Sequence, residues 1–239
     1  MKIFEIMTKT MRRFARDIMK FMNLRFERLR PFKKPYLKRY DYQKLYVDFD
    51  ISATDKVLDI GSGSEPFPFA THLAERYIEP TCHRYTKFVT NNLPLTECDV
   101  QDLPFDAKSF DFVYCAHVLE HVDDPISACR EIMRVGKRGY IETPSIMNDM
   151  LFSWAKGMHK WHVSSVNSTL VFQEYNARQL EGIRSNLWRE YIFSDYHNPI
   201  QDLFYSNKDI FNTMFSWVGC FQVVVIAQSG SVKIFNGEL

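Results

Sequence analysis

The chain has 239 residues, of which 46% are hydrophobic and 25% charged, a size that suits one large domain better than two independent ones. No segment approaches the roughly 18 consecutive apolar residues of a membrane helix, and the N-terminus lacks the apolar core of a secretory signal. Five cysteines without a C-x-x-C pair do not suggest a disulfide framework. We therefore expect a cytoplasmic protein.

The net charge of +1 hides an asymmetry between the two ends of the chain. Residues 1–40 carry 13 Lys and Arg against 3 acids, whereas the remainder carries 17 against 26. Six large apolar residues of the basic segment recur at alternating spacings of three and four: Phe4, Met7, Met11, Phe14, Ile18 and Phe21. This pattern predicts an amphipathic helix with a basic polar face.

Two uses of the basic segment stay open. Residues 1–30 could make peripheral contact with the inner membrane surface or another polyanion, or the apolar stripe could pack on the domain while the cations stay solvated. We divide the chain into an arm at 1–46 and a single domain at 47–239. Within that domain we assign 57–144 to a cofactor half and 145–239 to acceptor-side insertions and closing strands.

The stretch Val57–Gly63, VLDIGSG, reads as a buried strand that runs into a tight turn. Glycine permits positive φ and lets a ligand approach the backbone. Pro66 and Pro68 then leave room for one helical turn at most. The next strand is predicted at Phe69–Ala74, so that Glu75 stands at its carboxyl end.

Strands and a helix continue after this turn. We predict strands that close at Cys98–Val100 and that cover Phe110–Cys115 and Tyr140–Glu142. Asp124-Pro125 predicts a helix start, because aspartate caps the free N–H groups and proline suits the first helical position. This order of elements is typical of a doubly wound α/β sheet.

The C-terminal part predicts a hairpin and a closing pair of strands. Trp161–Val166 and Thr169–Tyr175 read as a hairpin inserted after the fifth strand. A helix is expected from Asn207 to Trp217. Phe221–Ala227 and Val232–Phe235 are then expected to complete the sheet as an antiparallel pair.

Between Val57 and Pro144, the motifs VLDIGSG, CDVQDLPF, SFDFVYCAHVLEHV and EIMRVGKRGYIETP together resemble a class I S-adenosylmethionine-dependent methyltransferase of the type 11 kind. The resemblance implies a methyl-transfer enzyme with a Rossmann-like, doubly wound, mostly parallel seven-stranded sheet and an antiparallel C-terminal strand. To this fold the chain adds the inserted hairpin and the N-terminal amphipathic helix. The implied cofactor is S-adenosylmethionine.

The resemblance also implies roles for residues at the glycine turn. Asp59, Gly61, Ser62 and Gly63 would face the methionine part of the cofactor. Glu75 would accept the two ribose hydroxyls.

Further along, the resemblance assigns the adenine and sulfonium ends of the cofactor. Asp99 would accept the adenine amino group, and the Val100 backbone N–H would meet the ring edge. Cys115, Ala116 and His117 would lie beneath the sulfonium.

His117 and His121 are the candidate catalytic bases, because histidine titrates near neutral pH. The alternative is that each packs or caps at the start of a helix, and we prefer that interpretation for His121. His117, Glu120 and His121 also match H-x-x-E-H, a zinc motif when it lies on a helix. Since the match directly follows a strand and Asp124-Pro125 soon interrupts it, we predict no metal site.

The acceptor is open at this stage. We expect a small molecule, a glycan or a lipid-linked intermediate, and His159, Trp161 and His162 could line its pocket or could belong to a covering hairpin. An RNA methyltransferase that uses the basic arm is one alternative, and a non-catalytic binding subunit is another. A nicotinamide dehydrogenase is disfavoured, because the turn lacks the third glycine of that motif. The sequence does not indicate an oligomeric state.

Overall fold

The computed structural model describes residues 38–79, 87–152, 158–176, 178–179 and 187–237, together with residues 11, 13, 14, 17, 18, 30 and 31. The chain divides into two compact units, one of Met1–Lys33 with Asp195–His197 and one of Lys34–Ser194 with Asn198–Leu239. In the parts of the chain that are described, no helix is both long and apolar enough to cross a membrane.

In the small unit, Pro31 forms an antiparallel bridge with Tyr196, and His197 N donates to Arg30 O at 2.8 Å. Of the predicted amphipathic helix, residues 11, 13, 14, 17 and 18 are described, and they are helical with exposed side chains. The rest of that prediction lies outside the described residues.

The large unit contains ten strands among its described residues. They are β1 (Val57–Ile60), β2 (His72–Glu75), β3 (Leu95–Glu97), β4 (Phe110–Ala116), β5 (Gly136–Pro144), β6 (Trp161–Val166), β7 (Thr169–Glu174), β8 (Asn212–Val218), β9 (Gln222–Ile226) and β10 (Val232–Phe235). The helices described are α1 (Arg39–Gln43), α2 (Pro125–Val135), α3 (Ile146–Phe152), α4 (Leu187–Ile192), α5 (Pro199–Ser206) and α6 (Lys208–Phe211), with a 3₁₀ turn at Leu119–His121.

The main sheet has the strand order β3-β2-β1-β4-β5-β8. All neighbours are parallel except β8, which runs antiparallel to β5. Asp59 on β1 pairs with Leu73 on β2 and with Tyr114 on β4, so the carboxyl ends of these strands lie side by side. The predicted mixed α/β fold with a mostly parallel sheet and an antiparallel C-terminal strand is confirmed.

The predicted number of seven strands is not reached, since six strands form this sheet among the residues described. β9 and β10 pair antiparallel as predicted, but they join the hairpin β6–β7 in a second sheet of order β10-β9-β7-β6. The physical reason is burial: Val223 and Val225 of β9 pack in the same core as Ile132 and Met133 of α2. The inserted hairpin is confirmed and is part of a larger element than we expected.

The predicted helix from Asn207 to Trp217 is wrong. Helix α6 ends at Phe211, and β8 follows at once. Phe215 and Trp217 are both buried, and this alternation suits a strand, which also gives β5 its antiparallel neighbour.

Two other strands are displaced from their predicted positions. β2 begins at His72 rather than Phe69, since Thr71 uses its side chain to accept from Val57 N at 2.9 Å. β3 occupies Leu95–Glu97, so Asp99 follows the strand instead of closing it. Asp99 there forms an isolated bridge with Asp102.

The core lies on both faces of the main sheet, because side chains alternate along each strand. Leu58, Val113 and Cys115 face the core that includes α2 and the second sheet. Val57 and Tyr114 face an aromatic cluster, in which the Phe67 and Tyr114 rings stack with centroids 4.1 Å apart; Phe49, Phe112 and Tyr140 belong to the same cluster.

Helix α2 begins as predicted. The Asp124 side chain accepts from Ile126 N at 3.0 Å and from Ser127 N at 3.3 Å, and Pro125 occupies the first helical position.

Candidate active site

The glycine turn after β1 is fastened to the end of β2. Gly61 has φ +71° and donates its N–H to Ala74 O at 2.8 Å, while a Cβ at this position would lie 2.3 Å from Val118 Cγ2. Gly63 has φ +59° and donates its N–H to Glu75 Oε2 at 3.1 Å. The turn thus brings Glu75 beside the glycines, as the sequence predicts.

Asp59 and Ser62 place polar atoms in the interior beneath this turn. Asp59 is fully buried, and its Oδ2 accepts from Phe67 N at 2.7 Å. Asp59 Oδ1 and Ser62 Oγ are buried and have no hydrogen-bond partner among the described residues. Buried polar groups are normally hydrogen-bonded, so these two atoms are candidates for contact with a ligand.

Burial raises the pKa of Asp59 to about 7, although the Phe67 N–H and Arg39 act in the opposite direction. The charge of Glu75 adds to the increase. The carboxyl group therefore titrates near neutral pH.

Arg39 is a site residue that the sequence did not indicate. It begins α1, where its N–H donates to Glu65 Oε1 at 2.7 Å. Burial alone would lower the pKa of the guanidinium, but Tyr114, Tyr42, Glu142 and Asp59 outweigh burial and raise it. A cation is thus held close to the carboxyl end of β1.

Glu142 forms the centre of a buried hydrogen-bond network. It is fully buried on β5, and its carboxylate accepts from Tyr42 OH at 2.5 Å, Tyr140 OH at 2.5 Å, Gln43 Nε2 at 2.9 Å and His117 Nε2 at 3.1 Å. Burial would raise the pKa of Glu142, but His117 and the tyrosine hydroxyls outweigh burial and hold it below its ordinary value. Glu142 is therefore an ionised anchor. No local motif marks it, because Tyr42, Gln43 and His117 come from distant parts of the chain and only Tyr140 is a near neighbour in sequence.

His117 lies directly after β4 with φ +59°, a left-handed conformation that is uncommon for residues other than glycine. Its N–H donates to Glu142 O at 2.8 Å. Its ring is held between Glu142, at 3.1 Å from Nε2, and Glu120, at 3.7 Å from Nδ1. This arrangement fixes the direction of the imidazole ring.

Cys115 and Ala116 come just before His117, at the end of β4. Both side chains are buried in the core, and burial raises the pKa of the Cys115 thiol well above its ordinary value. The thiol is neutral, and a ligand would meet these residues through their backbone.

Asp99 lies beyond the end of β3. Its carboxylate accepts from Gln101 N at 2.9 Å and from Gln101 Nε2 at 3.1 Å, and it pairs with Arg76 Nη1 at 3.0 Å. Val100 is buried beside it. Asp99 and Glu75 stand at the ends of neighbouring strands, as a ligand that spans the sheet edge would require.

His121 lies apart from the Glu142 network. Its Nδ1 donates to Met158 O at 2.8 Å, and its ring meets that of His159 with centroids 4.9 Å apart. His159 Nδ1 lies 2.7 Å from Asp149 Oδ1. Burial would lower the pKa of His159, but Asp149 and Glu120 outweigh burial and raise it.

Two other residues that could line the acceptor pocket lie on β6. Trp161 is buried and donates its Nε1–H to Val122 O at 2.7 Å, so it serves the core. His162 is half-buried on β6, and burial lowers its pKa. A separate surface pocket of about 720 Å³ lies between residues 44–52 and Arg138, and its described lining contains none of the predicted cofactor residues.

Residues 58–141 match a family model described as a methyltransferase domain. The match covers about a third of the chain. The matched segment contains every residue that we predicted to bind the cofactor, whereas Arg39 precedes it and Glu142 follows it directly. The predicted resemblance is confirmed for this segment, and S-adenosylmethionine is the methyl donor that the family implies.

Solved structures with low similarity include methyltransferases. YcgJ from Bacillus subtilis is 21% identical over 46% of this chain and 56% of its own, with a TM-score of 0.35. A SAM-dependent methyltransferase from Aquifex aeolicus is 15% identical over 44% of this chain and 64% of its own, with a TM-score of 0.33. A possible histamine N-methyltransferase from Thermotoga maritima is 20% identical over 48% of this chain and 55% of its own, with a TM-score of 0.35.

Each of these alignments spans less than two thirds of the solved chain. A search of curated proteins finds no match to this chain.

Proposed function

We propose that the chain binds S-adenosylmethionine at the carboxyl ends of β1, β2 and β4 and transfers its methyl group to a small-molecule, glycan or lipid-linked acceptor. The observation that supports this proposal most is the pair of buried, unpartnered atoms Asp59 Oδ1 and Ser62 Oγ beneath the glycine turn. In a site that is otherwise well hydrogen-bonded, such atoms call for a polar ligand.

We assign the methionine part of the cofactor to the glycine turn and its surroundings. Asp59, Ser62 and the backbone at Gly61 and Gly63 suit the ammonium end. Arg39, a half-buried cation without an ion pair among the described residues, suits the carboxylate end.

The ribose and adenine parts follow the sheet edge. Glu75 is assigned to the ribose hydroxyls, while Asp99 and the Val100 N–H are assigned to the adenine ring. Asp99 is held in place by Gln101 and Arg76.

The bound cofactor supplies a methyl group already activated by a sulfonium. The task of the protein is therefore to position the acceptor and to exclude water. Where the acceptor needs a base, His117 is the candidate: Glu142 accepts from its Nε2–H, so Nδ1 is the nitrogen that can take a proton. His121, the second candidate from the sequence, lies apart from this network, and its Nδ1–H donates to Met158 O.

The proposal is tested by calorimetry with S-adenosylmethionine and S-adenosylhomocysteine. Wild-type protein should bind both, and Arg39→Ala and Ser62→Val should each weaken binding by at least about tenfold, or about 1.4 kcal/mol. Asp111→Asn is the control, because Asp111 pairs with Lys137 at the amino end of β4. Failure of the wild type to bind either compound would overturn the proposal.

The acceptor class and the basic arm need a separate comparison. Anionic liposome flotation and an RNA gel shift, each with full-length protein and with residues 1–29 deleted, distinguish peripheral membrane contact from RNA binding. Loss of flotation on deletion supports peripheral membrane contact through the basic arm. Loss of an RNA shift supports the RNA methyltransferase, and cofactor binding without turnover on any acceptor supports a non-catalytic subunit.

A further inference from the structure

Three metal-ligating side chains converge where the 3₁₀ turn meets the start of β6. Glu120, His121 and His159 each offer one ligand atom, and these atoms all lie within 4.8 Å of one another. The two segments that carry them are fastened together, because Lys160 N donates to Glu120 O at 2.8 Å and Trp161 Nε1 donates to Val122 O at 2.7 Å.

Both imidazole rings are oriented through Nδ1. The His121 Nδ1–H donates to Met158 O at 2.8 Å, and since a carbonyl can only accept, Nε2 is the nitrogen with the lone pair in the neutral ring. His159 Nδ1 faces Asp149 Oδ1 at 2.7 Å, and the other oxygen of Asp149 accepts from Tyr175 OH at 2.7 Å. Histidines that bind metals are typically held in this way by a carbonyl or a carboxylate.

Glu120 supplies the charge that such a site needs. Glu120 is 1% exposed, and its Oε2 atom is buried without a hydrogen-bond partner among the described residues. Oε1 lies 3.7 Å from His121 Nε2 and 3.7 Å from His117 Nδ1, which is too long for a hydrogen bond. A buried carboxylate is costly unless a cation compensates for it.

We propose that Glu120, His121 and His159 bind one divalent transition-metal ion, for which Zn²⁺ is the best match to two imidazoles and a carboxylate. Ligand atoms around a tetrahedral zinc ion with bonds of about 2.0–2.1 Å stand about 3.3 Å apart, so binding draws the three groups together by up to about 1.5 Å. Three protein ligands leave a fourth position for water or an acceptor oxygen.

This site differs from the one that the H-x-x-E-H motif suggested. That motif placed a ligand at His117, but His117 Nε2 is committed to Glu142 at 3.1 Å. The structure brings His159 to the pair Glu120–His121 instead, from a segment that no local motif connects to it. From the sequence we expected no metal.

The test uses the full-length protein, stripped with a chelator and then titrated with Zn²⁺ or Co²⁺. Elemental analysis should give one zinc per chain, and Co²⁺ should give the visible ligand-field absorption of a tetrahedral site. Glu120→Gln and His159→Gln should abolish stoichiometric binding, and Asp149→Asn should weaken it by about 10–100-fold. His117→Gln and His72→Gln should retain it, since His72 bonds Thr96 on β3.

Absence of metal binding in the wild type overturns the proposal. So does loss of binding in His117→Gln with retention in His159→Gln, because that result would place the ion on the H-x-x-E-H motif. Circular dichroism checks that each variant folds. If His159→Gln does not fold, the Co²⁺ spectrum of the wild type tests the proposal, and absence of tetrahedral absorption overturns it. Calorimetry of S-adenosylhomocysteine with the metal-free protein separates this proposal from the methyltransferase proposal.

Discussion

At the scale of single residues, two buried carboxylates, Asp59 on β1 and Glu142 on β5, have pKa values shifted in opposite directions. Asp59 has one backbone donor and a pKa raised to about 7, whereas Glu142 has four donors and a pKa held below its ordinary value. The number of donors that face each carboxylate decides whether burial or hydrogen bonding prevails.

The raised pKa of Asp59 makes a prediction about stability and pH. An acid whose folded pKa exceeds its unfolded value of about 3.9 destabilises the folded state progressively as the pH rises from about 4 to 7. Asp59→Asn lacks this titration, so its free energy of unfolding relative to wild type should rise over that range, by at most about 4 kcal/mol. Urea unfolding at several pH values measures this difference. Parallel pH profiles for the two proteins would contradict the prediction.

The lowered pKa of Glu142 leads us to expect that its contribution to folding stability depends on pH in the opposite direction. Glu142→Gln leaves an amide among four donors and should lower the free energy of unfolding by about 3–5 kcal/mol. Because the folded pKa of Glu142 is lowered, this loss should be constant above the ordinary glutamate pKa of about 4.3 and should shrink as the pH falls below it.

Tyr140→Phe is the graded control for Glu142. It removes one hydroxyl donor and should cost less, about 1.5–3 kcal/mol. Equal losses in the two variants would show that the carboxylate itself is unimportant.

At the scale of elements, the glycine turn owes its form to one contact. An alanine at Gly61 would meet both an unfavourable φ of +71° and Val118 Cγ2 at 2.3 Å. Gly219 has nearly the same φ, +72°, but nothing lies within 4 Å of its Cβ position. Comparing alanine substitutions at Gly61 and Gly219 therefore separates the free-energy cost of the left-handed backbone from that of steric overlap with Val118.

We predict that Gly219→Ala lowers the free energy of unfolding by about 1–2 kcal/mol, the cost of the left-handed conformation. Gly61→Ala should cost about 1–3 kcal/mol more, because of the overlap. Adding Val118→Ala should remove part of that excess, which thermal and urea unfolding can measure. If Gly61→Ala and Gly219→Ala cost the same, Val118 does not determine the turn.

Elements with a local signal could be predicted from the sequence. The strand and turn at Val57–Gly63, the cap at Asp124 and the hairpin at β6–β7 depend on nearby residues, and the structure contains all three. β8 was not predicted, because the short alternation of Phe215 and Trp217 becomes decisive only through pairing with β5, which lies far away in sequence.

The candidate site likewise contains residues that a local motif marks and residues that it does not. The glycines and Glu75 follow a motif with fixed spacing, and they do meet. Arg39, Glu142 and His159 reach their partners only through tertiary structure, so nothing local marks them.

At the scale of the whole molecule, the basic segment and the domain overlap at α1. Tyr42 and Gln43 lie within the arm predicted at residues 1–46, yet their side chains donate to Glu142 on β5. The boundary at 46 remains a prediction, and these two bonds offer a way to test it.

We predict that deletion of residues 1–29 leaves the stability of the large unit unchanged. Deletion of residues 1–46 should lower its free energy of unfolding by roughly 3–6 kcal/mol, because two hydrogen bonds to a charged acceptor are lost at about 1.5–3 kcal/mol each. Differential scanning calorimetry of the two truncated proteins checks this. Equal transition temperatures would place Tyr42 and Gln43 outside the cooperative unit.

The short connection from β8 to β9 joins the main sheet to the second sheet. β9 lies parallel to β7, with Thr169 beside Gln222 at a separation of 53 residues, and β8 comes just before it in the main sheet. Closing a loop of that length is entropically costly, and parallel pairing cannot be made by a local turn. We therefore expect the pairing of β9 with β7 to form late in folding, which pulsed hydrogen exchange of the β9 amides would measure.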